Sequence, residues 1–109
     1  MASYNVIISP KAVSQLDAYI SYIQYTLLND QAAKGVWADA LETANELEES
    51  GGAFHLCAHP RLRASGYRLI PFRRHRYVML YRIESSTVYV DAIYHQLQDY
   101  ENIFAKETE

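Results

Sequence analysis

Arginine residues are concentrated in one part of this sequence, and arginine is suited to binding anions. Residues 61–82 contain seven arginines and no acid, whereas residues 1–60 contain two lysines and seven acids, and residues 83–109 contain one lysine and six acids. The guanidinium group is permanently charged and binds phosphate or carboxylate through paired hydrogen bonds. A short arginine block between acidic segments therefore predicts a local anion site rather than a generally basic surface.

Histidine could add proton transfer to this block, and the chemistry that these residue types suit is metal-independent cleavage of a phosphodiester. That reaction needs an acid and a base for two oxygens and positive charge at the phosphate. Histidine titrates near neutral pH, and arginine supplies fixed positive charge. We predict His95 as the general acid or base, Arg76 as the phosphate clamp and Arg68 as supporting charge. Five further residues are predicted to bind the substrate: Arg73, Arg74, His75, Arg82 and Phe72, the last by stacking on a base.

These residues are expected to meet on one face of a sheet. Three segments rich in β-branched and aromatic residues predict consecutive strands, at 67–72, 76–83 and 87–95. Because side chains alternate between the faces of a strand, a two-residue turn in the second hairpin places Arg76 opposite His95. A three-residue loop in the first hairpin adds Phe72 to the same end, with Arg68 and Arg82 further along. The other face is apolar and should be covered by helices, which leaves this face open.

Other interpretations of these residues stay open at this stage. Arg76 and His95 could form an ordinary cross-strand pair on a solvated face, and the arginines could contact an acidic segment of a protein partner. His55, Cys57 and His59 alternate in a way that suggests metal ligands, but a fourth ligand is lacking. We therefore predict no metal and no cofactor, and we expect Cys57 to be a small buried apolar residue.

The first half of the chain predicts a strand followed by two helices. Residues 3–8 form the strand, and Ser9 and Pro10 are of the types that cap and begin a helix. Apolar residues then recur at spacings of three and four in two stripes that should be buried. The first stripe comprises Val13, Leu16, Ile20, Ile23 and Leu27, and the second comprises Ala33, Val36, Trp37, Ala40, Leu41, Ala44 and Leu47. Asp30 is expected to cap the second helix, and an exposed Trp37 would instead mark a groove for a partner.

Composition and the order of elements predict a single α+β domain over residues 1–109. Residues 53–66 lack periodicity and are expected to form a loop, whereas residues 97–104 predict a short terminal helix. The architecture is an N-terminal strand, an antiparallel helical hairpin and a three-stranded antiparallel meander (βααβββ), with the helices on one face of the sheet. The sequence contains no targeting segment and no apolar run of bilayer length, so we expect a cytoplasmic protein without membrane contact.

Motifs in the last third of the chain, together with the order of elements, point to a known superfamily. They are Gly66-Tyr67-Arg68, HRYVMLYRI from His75 to Ile83, and AIYHQLQDYENIF from Ala92 to Phe104. On these motifs the chain resembles the RelE/ParE superfamily of type II toxin–antitoxin toxins. Arg76 matches the strand arginine that contacts the scissile phosphate in the nucleases of this superfamily. Arg68 lies near a position where RelE-like proteins carry a basic residue, and His95 resembles the Tyr-His ending of YoeB-like chains.

The resemblance implies a toxin, with two kinds of target. RelE-like and YoeB-like toxins are described as ribosome-dependent endoribonucleases that cut mRNA, and ParE-like toxins as inhibitors of DNA gyrase without enzymatic activity. Both are held inactive by a cognate antitoxin that wraps around the toxin. The chain lacks the glutamate that YoeB-like enzymes place before these strands and the lysines of RelE-like sites. We expect an mRNA endoribonuclease that inhibits translation, with a gyrase inhibitor or an inactive interaction module as the alternatives.

Overall fold

The computed structural model describes residues 3–109, which form a four-stranded sheet with two long helices on one face. The strands are β1 (Asn5–Ile8), β2 (Arg68–Pro71), β3 (Tyr77–Glu84) and β4 (Thr87–His95), and the helices are α1 (Pro10–Ser21), α2 (Asp30–Ser50), α3 (Pro60–Ala64) and α4 (Tyr100–Glu107). The strand order is β1-β4-β3-β2, in which β1 runs parallel to β4 and the other pairs are antiparallel. The predicted α+β class and the βααβββ order are confirmed.

Serine and asparagine caps begin the two long helices. Ser9 Oγ accepts from the N–H of Ala12 over 3.1 Å and a proline follows it, as predicted. The cap of α2 is Asn29, whose side-chain oxygen accepts from the N–H of Ala32 over 3.0 Å. The prediction that Asp30 is this cap is wrong, because the Asn29 side chain makes the capping hydrogen bond and Asp30 is the first helical residue.

The buried face of α1 differs from the predicted stripe. Ala12 and Leu16 are buried, whereas Val13 and Leu27 are about half exposed. The helix packs on β4 with Leu16 buried and with Ile20 and Ile23 against the core, as predicted, so the difference lies at the two ends of the stripe. At its end it widens into a π-helical segment, Tyr22–Thr26, where the N–H of Leu27 donates to the carbonyl five residues earlier over 3.0 Å. The extra residue in this turn moves Leu27 out of the buried stripe.

The stripe of α2 is buried as predicted, except for Trp37 and Leu41. These two side chains are about half exposed, whereas Val36 and Ala40 are buried against the sheet. Successive residues of a helix are rotated by about 100°, so the residue after each buried position lies at the edge of the interface. The prediction that Trp37 belongs to the core is therefore wrong.

The hairpin of β3 and β4 contains a bulge that changes the predicted register. Near the turn the pairing is as predicted. Beyond Tyr81 the pairing shifts by one residue, so that Asp91 is the extra residue and Tyr77 lies opposite His95. A bulge of one residue exchanges the faces of a strand. The predicted pairing of Arg76 with His95 is therefore wrong.

The sheet face opposite the long helices carries α3 and α4, although the sequence predicted an open face. This face needs cover because Val78 and Leu80 point to it and are apolar. The segment 53–66, predicted to be a loop, contains α3, which a proline begins and the preceding histidine caps. Cys57 is buried in the same cluster, as predicted, and burial raises the pKa of its thiol to about 12. None of the helices within residues 3–109 is long and apolar enough to span a bilayer.

We predict that Leu28→Gly stabilises the protein. Leu28 has a φ of 54°, in the left-handed region, where a leucine loses about 1–2 kcal/mol of free energy relative to glycine. Glycine also loses more conformational entropy on folding than leucine does, which costs about 0.5–1 kcal/mol. We therefore expect the free energy of unfolding to rise by roughly 0.5–1 kcal/mol. Urea denaturation would measure it.

Leu27→Gly is the matched control for this prediction. Leu27 is also exposed, but its φ is −86°, so glycine relieves no strain there and should lower the free energy of unfolding. Equal destabilisation by both substitutions would contradict the prediction.

Candidate functional site

The loop between β2 and β3, residues 73–76, is held by a buried aspartate of α2. We call this segment the arginine loop. Asp39 Oδ1 accepts from the backbone N–H of Arg73 over 3.1 Å, and its Oδ2 accepts from the N–H of Arg74 over 2.9 Å. The Nδ1 atom of His75 lies 2.7 Å from the same Oδ2. Because a carboxylate only accepts hydrogen bonds, Nδ1 of His75 carries the proton. Three donors from three successive residues therefore fix the loop against the helix.

The environment of Asp39 keeps this carboxylate charged. Burial acts to raise its pKa, while the hydrogen bonds from His75, Arg74 and Arg73 act to lower it. The balance is a pKa below the ordinary value of 3.8. A buried carboxylate is stable in its ionised form only when its oxygens are well paired, which is the case here.

Glutamates of the same helix pair with the side chains of the arginine loop. Arg74 Nη1 lies 3.0 and 2.9 Å from the two carboxylate oxygens of Glu42, and Arg73 Nε lies 3.5 Å from Glu46. These pairs are largely exposed and add little to stability, but they neutralise two arginines that the sequence assigned to substrate. The Arg76 side chain is exposed and has no ion-pair partner within residues 3–109.

Two more predicted site residues are engaged elsewhere in the fold. Arg82 Nε lies 3.0 Å from Asp91 Oδ2, and its guanidinium group also bonds Glu84 and covers the ring of Tyr89. Arg68 donates to the backbone carbonyl of a residue before α3. Most of the arginines of the predicted anion site therefore already have partners within the molecule.

The three predicted catalytic residues do not converge. Arg76 and His95 lie at the same end of the sheet, where the N–H of Gln96 donates to the Arg76 carbonyl over 2.7 Å. Arg68 lies opposite Tyr81, four residues along β3 from the residue that faces His95. At about 3.3 Å per residue this separation is about 13 Å along the strand. A single phosphate cannot contact residues so far apart.

Phe72 is buried, although the sequence placed it on an open face. Its N–H donates to the carbonyl of Tyr77 over 2.8 Å, so the connecting loop has four residues and not three. The added residue turns Phe72 toward the long helices, where its ring centroid lies 5.6 Å from that of Tyr77. The prediction that Phe72 is available to stack on a base is therefore wrong.

The hydrogen bonds of His95 limit what its ring can do. Its Nδ1 accepts from the N–H of Leu97 over 3.1 Å, and the ring packs edge-on against Tyr77 at 5.2 Å between centroids. A neutral imidazole has one nitrogen that can accept a proton, and here that nitrogen is occupied. Action of His95 as a general base would require this hydrogen bond to break.

A second feature lies on the other side of the helical hairpin, between α1 and α2. It is a cavity of about 460 Å³ with apolar lining from Val13, Ile20, Ala33 and Trp37 and charged lining from Asp17, Asp30 and Lys34. We call it the hairpin groove. Trp37, half exposed in this groove, is the kind of anchor that protein partners bury.

Asp39 is the main residue that the sequence analysis missed. It lies on the buried side of α2, beside Val36 and Thr43. An acid in an otherwise buried stripe requires a partner, and the nearby pattern Arg-Arg-His at 73–75 supplies the donors. That combination is the signal in the sequence that could have identified the contact.

Comparison with known proteins identifies the family. A sequence model described as "ParE toxin of type II toxin-antitoxin system, parDE" matches residues 6–100. Among solved structures, one described as "Chromosomal ParDE TA system from P. aeruginosa" superimposes with a TM-score of 0.72 at 18% sequence identity, over 85% of this chain and 96% of that chain. At this identity the structural likeness shows the fold alone. No curated protein sequence matches the chain at a significant level.

We predict that Asp39→Asn destabilises the protein by about 2–3 kcal/mol, because an amide nitrogen replaces one accepting oxygen and leaves a buried donor unpaired. The free energy of unfolding would be measured by urea denaturation at neutral pH. Glu42→Gln is the matched control on the same helix face and should cost less than about 1 kcal/mol, since its ion pair is exposed. Similar losses for the two variants would contradict a special role for Asp39.

The same contact predicts a dependence on pH. Because the pKa of Asp39 is lower in the folded state than its ordinary value of 3.8, its contribution is complete above that value and is lost as the pH falls through the folded pKa. In the Asp39→Asn variant, the fall in the free energy of unfolding at acid pH should therefore lack the part that protonation of Asp39 causes in the wild type.

Proposed function

The chain belongs to the family of ParE toxins of type II toxin–antitoxin systems, and we propose that it acts by binding a protein target, DNA gyrase, rather than by cleaving RNA. The observation that carries this proposal is the state of His95. Its only free nitrogen lone pair is used by the N–H of Leu97, so the residue that the sequence predicted as the general acid or base is not poised as a base.

The wider geometry of the arginines supports the same proposal. Arg73 and Arg74 are paired with glutamates of α2, and Arg82 is paired with Asp91. Binding of RNA on the ribosome relies on arginine and lysine side chains that are free to contact phosphates. The resemblance to ParE-like toxins supplies gyrase as the target. A cytoplasmic location follows from this proposal, since gyrase acts on DNA in the cytoplasm.

Ribosome-dependent cleavage of mRNA is the second candidate, and Arg76 favours it. Its side chain is exposed, and its carbonyl accepts from the N–H of Gln96 just after β4. An arginine in that place could clamp a phosphate. The nuclease would then work with Arg76 alone as the charged group at this end of the sheet.

The partner that restrains a toxin of this family is its cognate antitoxin, and we place it in the hairpin groove. A groove between two helices accepts the apolar face of a helical segment. The mixed lining of this groove, with Trp37 beside Asp17, Asp30 and Lys34, would bind such a segment through an apolar anchor flanked by polar contacts. Peptide binding in this mode leaves the arginine loop unoccupied.

We predict that His95→Gln retains growth arrest close to the wild-type level when it is expressed from an inducible promoter. Glutamine keeps a polar group of similar length but cannot transfer a proton near neutral pH, so a binding mechanism should tolerate it. Supercoiling of plasmid DNA and the integrity of mRNA would be followed in the same cultures. Arg76→Ala is the parallel variant for the phosphate contact. A rapid halt of translation with cleaved mRNA, lost in both variants, would instead establish the nuclease.

We also predict that Trp37→Ala weakens antitoxin binding by at least about tenfold, as removal of a buried anchor does. Binding would be measured by titration of the purified toxin with its cognate antitoxin. Leu97→Ala is the control, because Leu97 is exposed and does not line the groove. Equal affinities for wild type and Trp37→Ala would place the antitoxin elsewhere.

A further inference from the structure

The turn between α1 and α2 exposes four large side chains. Tyr22, Tyr25, Leu27 and Leu28 are 56, 71, 56 and 83% exposed, respectively. We call these residues the hairpin tip. Apolar side chains are often exposed singly, but several together on one projecting turn are typical of an interaction site.

The sequence around the hairpin tip has the composition of an interface core. Residues 18–29 contain no charged side chain, in a chain with 21% charged residues, and they contain three tyrosines. Interface cores are depleted in charge and enriched in aromatic residues. Nucleic acid is not the partner that this composition fits, because no lysine or arginine is available for phosphate.

The backbone of the tip departs from regular geometry where the exposed side chains occur. Tyr22–Thr26 is π-helical, and Leu28 has a φ of 54°, a conformation that glycine or asparagine adopts more easily. Both features are found preferentially at functional sites. Packing does not account for a leucine at this position, because the side chain is in solvent.

We propose that the hairpin tip docks the toxin onto its protein target by inserting into an apolar recess bordered by basic side chains. The basic border follows from charge, since the nearest charged residues before and after the tip in the sequence are both acids, Asp17 and Asp30. The same charge disfavours a second copy of this chain as the partner. This inference rests on the proposed function, in which the target is a protein.

The position of the tip next to the hairpin groove adds a means of control. Gln24 and Asp30 line the groove; in the sequence Gln24 lies between two residues of the tip and Asp30 follows it. An antitoxin segment in the groove would therefore extend beside the tip and exclude the target. Neutralisation would then require no change in the shape of the toxin.

The test uses two tip variants, Leu28→Gly and Tyr25→Ser, and one control, Leu97→Ser. Leu28→Gly suits the backbone at that position and should keep the fold, and Leu97 is 79% exposed and follows β4, outside the helical hairpin. Each purified toxin would be assayed for inhibition of supercoiling by purified DNA gyrase, for affinity to the cognate antitoxin and for growth arrest on induction. Thermal unfolding of each variant would establish that it is folded.

We expect both tip variants to lose gyrase inhibition by at least about tenfold, while the control stays at the wild-type level and all three bind antitoxin. Inhibition that is unchanged in folded tip variants would overturn the proposal. So would loss of antitoxin affinity with full growth arrest, because the tip would then belong to the antitoxin.

Failure of the proposed function gives a different pattern. If the wild type leaves gyrase unaffected, gyrase is not the target, and growth arrest alone decides the role of the tip. Arrest lost in both tip variants and kept in the control would uphold docking on another protein. Arrest kept in all variants, or cleavage of mRNA that is insensitive to the tip, would overturn it.

Discussion

The buried carboxylate of Asp39 joins the helical hairpin to the sheet. An unpaired charge in this position would be strongly unfavourable, and the contact is stable because three donors of the arginine loop satisfy both oxygens. Two of these donors are backbone N–H groups, so the aspartate fixes the path of the chain and not only one side chain. The placement of Arg73 and Arg74 against the glutamates of α2 follows from this path.

The elements of the fold were predictable because each depends on local pattern. The strands, the serine cap of α1 and the order βααβββ follow from periodicity and from residue types at the ends of elements. The bulge at Asp91 was not predictable in this way, since the side chain of Asp91 takes its partners from distant parts of the chain, Tyr67 at 2.8 Å and Arg82 at 3.0 Å. One extra residue in β4 was enough to exchange the face on which His95 lies.

The candidate site was less predictable than the fold because charge in a sequence does not show pairing. Seven arginines in one segment indicated an anion site, yet Arg61 bonds the end of α4, Arg82 bonds Asp91 and Arg68 bonds a backbone carbonyl. Each of these partners lies in another element of the fold, 47, 9 and 14 residues away, respectively. Arg73 and Arg74 are compensated by acids that looked like an ordinary solvated helix face. Only the position of Asp39 in a buried stripe gave a local signal.

The compensation of the arginines changes which surface is available to partners. Where charged groups already satisfy one another, a partner must break those pairs before it gains new ones, and the net gain is small. Apolar side chains in water have no such competitor, so burial of Trp37 in the hairpin groove or of Leu28 at the hairpin tip would contribute to binding without first breaking ion pairs. Both of these side chains lie on the helical hairpin and not on the arginine-rich part of the sheet. The binding energy of this toxin should therefore come from the hairpin, with the ion pairs serving to hold the hairpin in place.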